Sequence, residues 1–187
     1  LNRPMIAVVG SRHATVQGAA TAQAWAKGLG QAGFTVVSGM AAGIDAAAHA
    51  GALETPASSV AVIGTGIDRI YPASNQALAR QLAGQGLIVS EFPLQAKPLA
   101  MHFPRRNRII AGLSLGCLVV EASLKSGSLI TGRLAADYGR KVFAVPGSIH
   151  STHAKGCHRL IRDGATLVEC LDDILQQRSE EHTSELQ

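Results

Sequence analysis

Short, continuously apolar runs alternate along this chain with alanine-rich stretches of helical length. Strands that are apolar at every position are buried on both faces, which is the signature of a parallel sheet covered by helices. The pattern predicts strands at 5–9, 34–37, 59–63, 87–90, 117–121 and 142–145, with helices at 15–32, 42–53, 75–83, 105–113 and 128–138 between them. After Pro146-Gly147 the text turns polar and then predicts a short helix at 157–162, a turn at Asp163-Gly164, a strand at 166–168 and a closing helix at 171–177. The fold class is α/β: a doubly wound, mostly parallel, Rossmann-like sheet with helices on both faces. Its ligands are expected outside the carboxyl ends of the strands. Residues 1–177 read as one core domain. Residues 178–187 break abruptly in composition and read as a non-native or disordered tail.

The 187 residues, 47% of them apolar, suit a single domain with a full hydrophobic core. The formal charge of +4 understates the basic character. The last ten residues hold one arginine and three glutamates, so the remainder carries 16 Lys and Arg against 10 Asp and Glu. Such a balance points to a polyanionic partner. Three cysteines without a C-x-x-C spacing fit a reducing compartment, and the cytoplasm is the expected location. No apolar run approaches the roughly 20 residues that span a bilayer, so no membrane partner is expected.

The basic residues are clustered. From Phe92 to Val120 there is no acidic residue, while Lys97, Arg105, Arg106 and Arg108 surround a Phe103-Pro104 step that opens an apolar helix. A helix start exposes unpaired N–H groups and favours Asp or Glu, so arginines there imply a compensating anion. Phosphate oxygens match both the charge and the fork of Arg, with Pro104 at the first helical position. Helical spacing separates the arginines. Arg106 projects between Ile109 and Ile110, whereas Arg105 and Arg108 lie on the polar side. Arg106 is therefore either a ligand contact or a buried guanidinium held by a carboxylate or by backbone carbonyls.

A parallel sheet gathers its strand-end loops on one rim: Gly10-Ser11-Arg12, the loop 38–43 containing Gly39, Gly64-Thr65-Gly66, Ser90-Glu91, and the loop 121–128 with Ser123, Lys125 and Ser126. Small residues there either cradle phosphate or merely permit tight turns. Several such loops beside a basic helix start favour a phosphate or nucleic-acid site.

Other motifs fail on context. Gly28-Leu-Gly-Gln-Ala-Gly33 satisfies G-x-G-x-x-G but ends a helix and precedes a strand, the reverse of a dinucleotide fingerprint. Gly112-Leu-Ser-Leu-Gly116 matches a nucleophile elbow in letters, yet again the order is helix then strand. No P-loop is present. His150, His153, Cys157 and His158 match no zinc spacing and read as loop residues, so neither a metal nor another cofactor is expected. Asp45 and His49, four apart on one helix, read as a local structural hydrogen bond rather than an acid/base pair.

The blocks Ser38-Gly-Met-Ala-Ala-Gly-Ile-Asp45 with His49, Tyr71-Pro72 with Asn75, Ser90-Glu91, residues 103–114 (FPRRNRIIAGLS), Glu121-Ala122, residues 126–131 (SGSLIT) and Val145-Pro-Gly147, in this order, resemble the DNA-processing protein A (DprA, or Smf) family. The resemblance covers about residues 3–170 and implies a Rossmann-like core without catalytic residues. That core would bind single-stranded DNA, form a homodimer and help load RecA onto incoming strands in natural transformation. It places DNA contacts on Ser11, Arg12, Gly39, Lys97, Arg105, Arg106, Asn107, Arg108, Ser123, Lys125 and Ser126. The segment Cys157-His158-Arg159-Leu160-Ile161 is similar to the family's dimer-forming element, with His158, Leu160 and Ile161 as the expected interface. Starting at Leu1 beside the first strand, the chain reads as a core without the flanking domains of many relatives. The rival reading is a nucleotide-processing hydrolase of the Lonely Guy phosphoribohydrolase type, which shares the architecture. Those enzymes carry P-G-G-x-G-T-x-x-E, where this chain has Glu121-Ala-Ser-Leu-Lys-Ser-Gly-Ser128.

Overall fold

A computed structural model describes residues 3–177. The strands are β1 (Met5–Val9), β2 (Thr35–Ser38), β3 (Ser59–Val62), β4 (Leu87–Val89), β5 (Gly116–Val119), β6 (Lys141–Ala144) and β7 (Thr166–Leu167). Between them run α1 (Val16–Gln31), α2 (Ile44–Leu53), α3 (Gln76–Gln85), α4 (His102–Leu113), α5 (Ser128–Asp137) and α6 (Lys155–Arg162). The strand order is β4-β3-β2-β1-β5-β6-β7, and every pairing is parallel. The chain winds outward from β1 in one direction and then restarts on its other side at β5. That reversal opens a crevice at the carboxyl ends of β1 and β5, where doubly wound proteins bind ligands.

The two faces follow the period of two that continuous apolar strands require. Ala7, Val37, Val62, Cys117, Val119 and Ala144 face a layer made by α4, α5 and α6, where Ile110, Leu129 and Leu160 are buried. Val8, Val36, Leu118 and Phe143 face α1 and α2, which bury Ala22, Ala26, Leu29, Ile44, Ala48 and Ala52. Met40, Ala79 and Leu82 close the same side over β3. The small residues let α1 and α2 approach closely: a Cβ on Gly51 would lie 2.0 Å from the Gln23 carbonyl oxygen.

The expected fold holds, with shifts at element ends. The largest is α4, which begins at His102 rather than 105. Pro104 is thus the third helical residue and not the first, at no cost, since its missing N–H belongs to the first turn and would have no partner within the helix. Leu160, expected at a dimer surface, is 4% exposed and packs against Gly132 on α5, so it is a core residue. His158 and Ile161 stay partly accessible. The tail 178–187 lies outside the described residues.

Two glycine substitutions should act with opposite sign. Gly51→Ala should destabilise by about 1–3 kcal/mol, because α1 and α2 must separate. Gly84→Ala, with nothing within 4 Å of an added Cβ, should stabilise by about 0.5–1 kcal/mol through helix propensity. Urea unfolding of both variants against the parent chain checks the pair.

Candidate nucleic-acid interface

A cleft of about 380 Å³ lies at the crevice between β1 and β5. Its walls come from the loop after β1 (Ser11, Arg12), the start of α4 (Phe103, Arg106, Asn107) and the loop entering α5 (Ser123, Lys125, Ser126). The lining includes Arg12, Arg106 and Lys125, with Asp45 as its sole carboxylate, and Asp45 is 5% exposed. A second hollow of about 210 Å³, sharing Arg12 and Arg106, extends toward Gly39, Gly64, Tyr71 and Pro72.

The loops are fixed by backbone bonds. Ser11 N donates to Glu121 O at 2.7 Å, and Ile44 N donates to Ser11 O at 3.1 Å. Gly43, at φ +79°, brings its Cα so near the Ser11 carbonyl that a side chain would collide with it. At the entrance to α5 no acid stands in the first turn, and the first amides are already bonded: Ser128 N to Ser126 Oγ at 3.3 Å, Leu129 N to Ser126 O at 3.2 Å and Ile130 N to Gly127 O at 3.1 Å. Asn107 on α4 donates to Gly127 O at 3.4 Å, tying the two helix starts together. The positive end of the α5 dipole therefore accompanies Lys125 and Arg12 on a surface suited to phosphate.

Arg106 is the anchor. Its Nη1 donates to Gly39 O at 2.6 Å and Val62 O at 2.5 Å, and its Nε to Asn107 Oδ1 at 3.1 Å. Burial lowers its pKa from the usual arginine value, Asp45 raises it and Arg12 lowers it again; the guanidinium stays charged. Asp45 accepts from Gly39 N at 3.1 Å and Ala41 N at 3.4 Å. Burial pushes its carboxyl up, against the opposing pull of Arg106 and of these amides. Asp45 and His49 do not bond each other as the spacing suggested; each holds the 39–41 backbone instead. His49 Nε2 accepts from Met40 N at 3.2 Å, and Nδ1 lies 2.7 Å from Ser59 Oγ, which donates to Val36 O. These partners require the neutral ring protonated at Nδ1, because a proton on Nε2 would face the Met40 N–H. Burial, then the Arg106 charge, lower the His49 pKa to about 3.

Phe103 carries a role that sequence reasoning missed. Arg12 and Arg106 place their guanidinium carbons 5.3 and 5.7 Å from its ring centre, and Tyr71 meets it at 5.6 Å. An aromatic beside two arginines and an exposed tyrosine is a surface for stacking. The available signal was an aromatic interleaved with a basic cluster, which had been assigned only to opening the helix.

The structure brings Ser11, Arg12, Arg106, Asn107, Ser123, Lys125 and Ser126 together, with Gly39 in the adjoining hollow. Lys97, Arg105 and Arg108 do not line the cleft. Lys97 is exposed in the loop before α4, and the two arginines point outward to Glu91. Glu121 is also turned away: its carboxylate accepts from Thr15 N at 2.9 Å and Thr15 Oγ1 at 2.5 Å at the start of α1. His158 Nε2 accepts from Gly147 N at 3.2 Å. Among the described residues no helix is long and apolar enough to cross a membrane.

The basic crevice with its aromatic wall stands at the reversal of a parallel, Rossmann-like sheet. The family model for DNA recombination-mediator protein A matches residues 1–179, and the chain belongs to that family. It is 47% identical over 177 residues to DNA processing protein DprA of Streptococcus pneumoniae, covering 95% of this chain and 62% of the relative. To protein Smf of Escherichia coli it is 49% identical over 172 residues, 91% of this chain and 46% of the relative. The chain thus spans about half to three fifths of the length of these relatives. The solved structure of the S. pneumoniae protein superposes with a TM-score of 0.86 at 46% identity, over 92% of this chain and 61% of that one. DNA processing protein A from Helicobacter pylori, described in a single-stranded DNA binding mode, gives a TM-score of 0.87 at 28% identity, over 95% and 81%.

The His49 geometry predicts an acid-linked loss of stability. The folded pKa lies below the unfolded value near 6.5, so the unfolded chain binds the extra proton between about 6.5 and about 3. The contribution is full above pH 6.5 and falls by up to about 1.4 kcal/mol per pH unit as pH drops through that window. His49→Gln should lack this part of the slope, as read from urea unfolding at a series of pH values.

Proposed function

We propose that this chain is a non-enzymatic single-stranded DNA-binding core that delivers strands to RecA. The observation that carries the reading is the cleft itself, in which Arg12, Lys125 and the start of α5, with no acid in its first turn, face the same space as the Phe103 ring. Phosphates need the first set and unstacked bases need the second; a duplex offers no free base face. The H. pylori relative, which binds single strands, supports the choice of ligand. The family's description as a recombination mediator supports hand-over to a strand-exchange protein. Cys117, Cys157 and Cys170 are all unpaired, which fits action in the cytoplasm. The hydrolase reading loses its acid, because Glu121 is spent on Thr15.

Within this reading the site consists of Ser11, Arg12, Gly39, Asn107, Ser123, Lys125 and Ser126 around the Phe103 ring. Arg106 forms the floor, and Lys97, Arg105 and Arg108 stand outside the cleft. Dimerisation belongs to the same proposal. The edge strand β7 exposes Leu167, and Ile161 and His158 of α6 stay half-accessible. A two-fold pairing there would present two clefts to one strand.

Binding of an oligothymidine should weaken as salt rises, with a log–log slope of roughly −2 to −4 for several phosphate contacts, and exceed binding of duplex. Arg12→Ala and Lys125→Ala should reduce affinity with little change in melting temperature, because both side chains are exposed. Arg106→Ala should lower affinity and stability together. A flat salt response, or preference for duplex, contradicts the proposal.

For assembly, Ile161→Glu should convert a dimer into a monomer in light scattering and lower affinity only for strands long enough to span two clefts. A monomeric parent chain, or an unchanged dimer in the variant, rejects this surface.

A further inference from the structure

The two outward arginines of α4 already hold an anion. Glu91, two residues past β4, lies between them: one carboxylate oxygen accepts from Arg108 Nη2, and the other is 3.6 Å from Arg105 Nε. The Glu91 side chain is 19% exposed, against 65% for Arg105 and 49% for Arg108. The carboxylate is thus sheltered beneath two guanidiniums whose outer faces meet solvent. Arg105 also lies 5.9 Å from the centre of the Phe92 ring, which stacks on His102 at 4.1 Å. The first turn of α4 has no acid of its own, so the compensating charge comes from another element.

A carboxylate and a phosphodiester offer a guanidinium the same pair of oxygens. One carboxylate also cancels only one of two positive charges, leaving the pair attractive to a polyanion. Pro104, which lines the cleft, immediately precedes Arg105, so a strand leaving the cleft along this helix start passes these side chains. We propose that Arg105 and Arg108 form an outer phosphate subsite, occupied in the free protein by Glu91 until a DNA phosphate displaces its carboxylate. This rests on the reading of the cleft as a single-stranded DNA site. Surface ion pairs are weak individually, so a phosphate can replace the carboxylate, yet the competition lowers affinity for strands that do not also fill the cleft. Glu91 is in this account a positioning residue that sets how much of the basic surface is available.

The test is anisotropy of a labelled oligothymidine over a salt series with the 187-residue chain, Glu91→Gln, the Arg105→Ala/Arg108→Ala pair, and all three substitutions combined. Glu91→Gln should bind about three- to tenfold tighter with the parent's slope, since the same phosphate is neutralised in both complexes, whereas the Arg105→Ala/Arg108→Ala pair should lower the slope by roughly 0.7. With both arginines removed, the same substitution should change affinity less than about twofold, since its effect runs through them. Wild-type affinity in Glu91→Gln overturns the proposal, as does an equal gain without the arginines, which would mark a general charge effect. Glu91→Asp, shorter by one methylene, should show a smaller gain in the same direction, and no gain in either variant overturns the proposal. Absence of salt-dependent binding by the parent chain would instead refute the single-stranded DNA reading itself.

Discussion

A single nitrogen of the Arg106 guanidinium bonds the last carbonyl of β3 and the first carbonyl beyond β2, and the site is assembled around that junction. Burying a guanidinium is costly unless its donors find acceptors, and here two carbonyls and Asn107 Oδ1 accept from it while the Asp45 carboxylate offsets its charge. The arrangement leaves no room for a side chain at Gly39, whose added Cβ would lie 2.8 Å from the guanidinium. Asp45 and His49 complete it by bonding the amides of residues 39–41. The 39–41 loop is thereby held against the core, and the cleft has a rigid, positively charged floor.

The start of α4 divides its labour by helical angle. Arg106, Asn107, Ile110 and Ala111 are buried on the sheet side, while Arg105 and Arg108 face outward to Glu91. Phe103 stands between the buried and rim arginines, so one short segment supplies an anchor, an aromatic wall and peripheral charge. A polyanion that also carries flat rings can use all three at once.

The architecture was legible because strands buried on both faces write an unambiguous pattern, and alternation with helices leaves few topologies. The rim followed from that parallel arrangement, so Ser11, Arg12, Ser123, Lys125 and Ser126 could be grouped before their positions were known. What stayed hidden depended on partners distant in sequence. Nothing local indicates that Glu91 reaches Arg105 and Arg108, or that Glu121 serves Thr15. The spacing of Asp45 and His49 was read correctly as a shared face, but backbone amides offered each a better partner than the other. Leu160 and Ile161 are adjacent and equally apolar; only the packing of α6 on Gly132 decides that the first is core.

The central claim is that a single strand occupies the crevice between β1 and β5. Backbone amide chemical shifts followed during titration with a short oligothymidine test it most directly. The account predicts that the largest changes fall on residues 10–12, 39–41, 103–107 and 123–128, while residues 35 and 57–60 at the opposite end of the sheet stay fixed. Changes concentrated at that opposite end, or none at the rim on saturation, would contradict it.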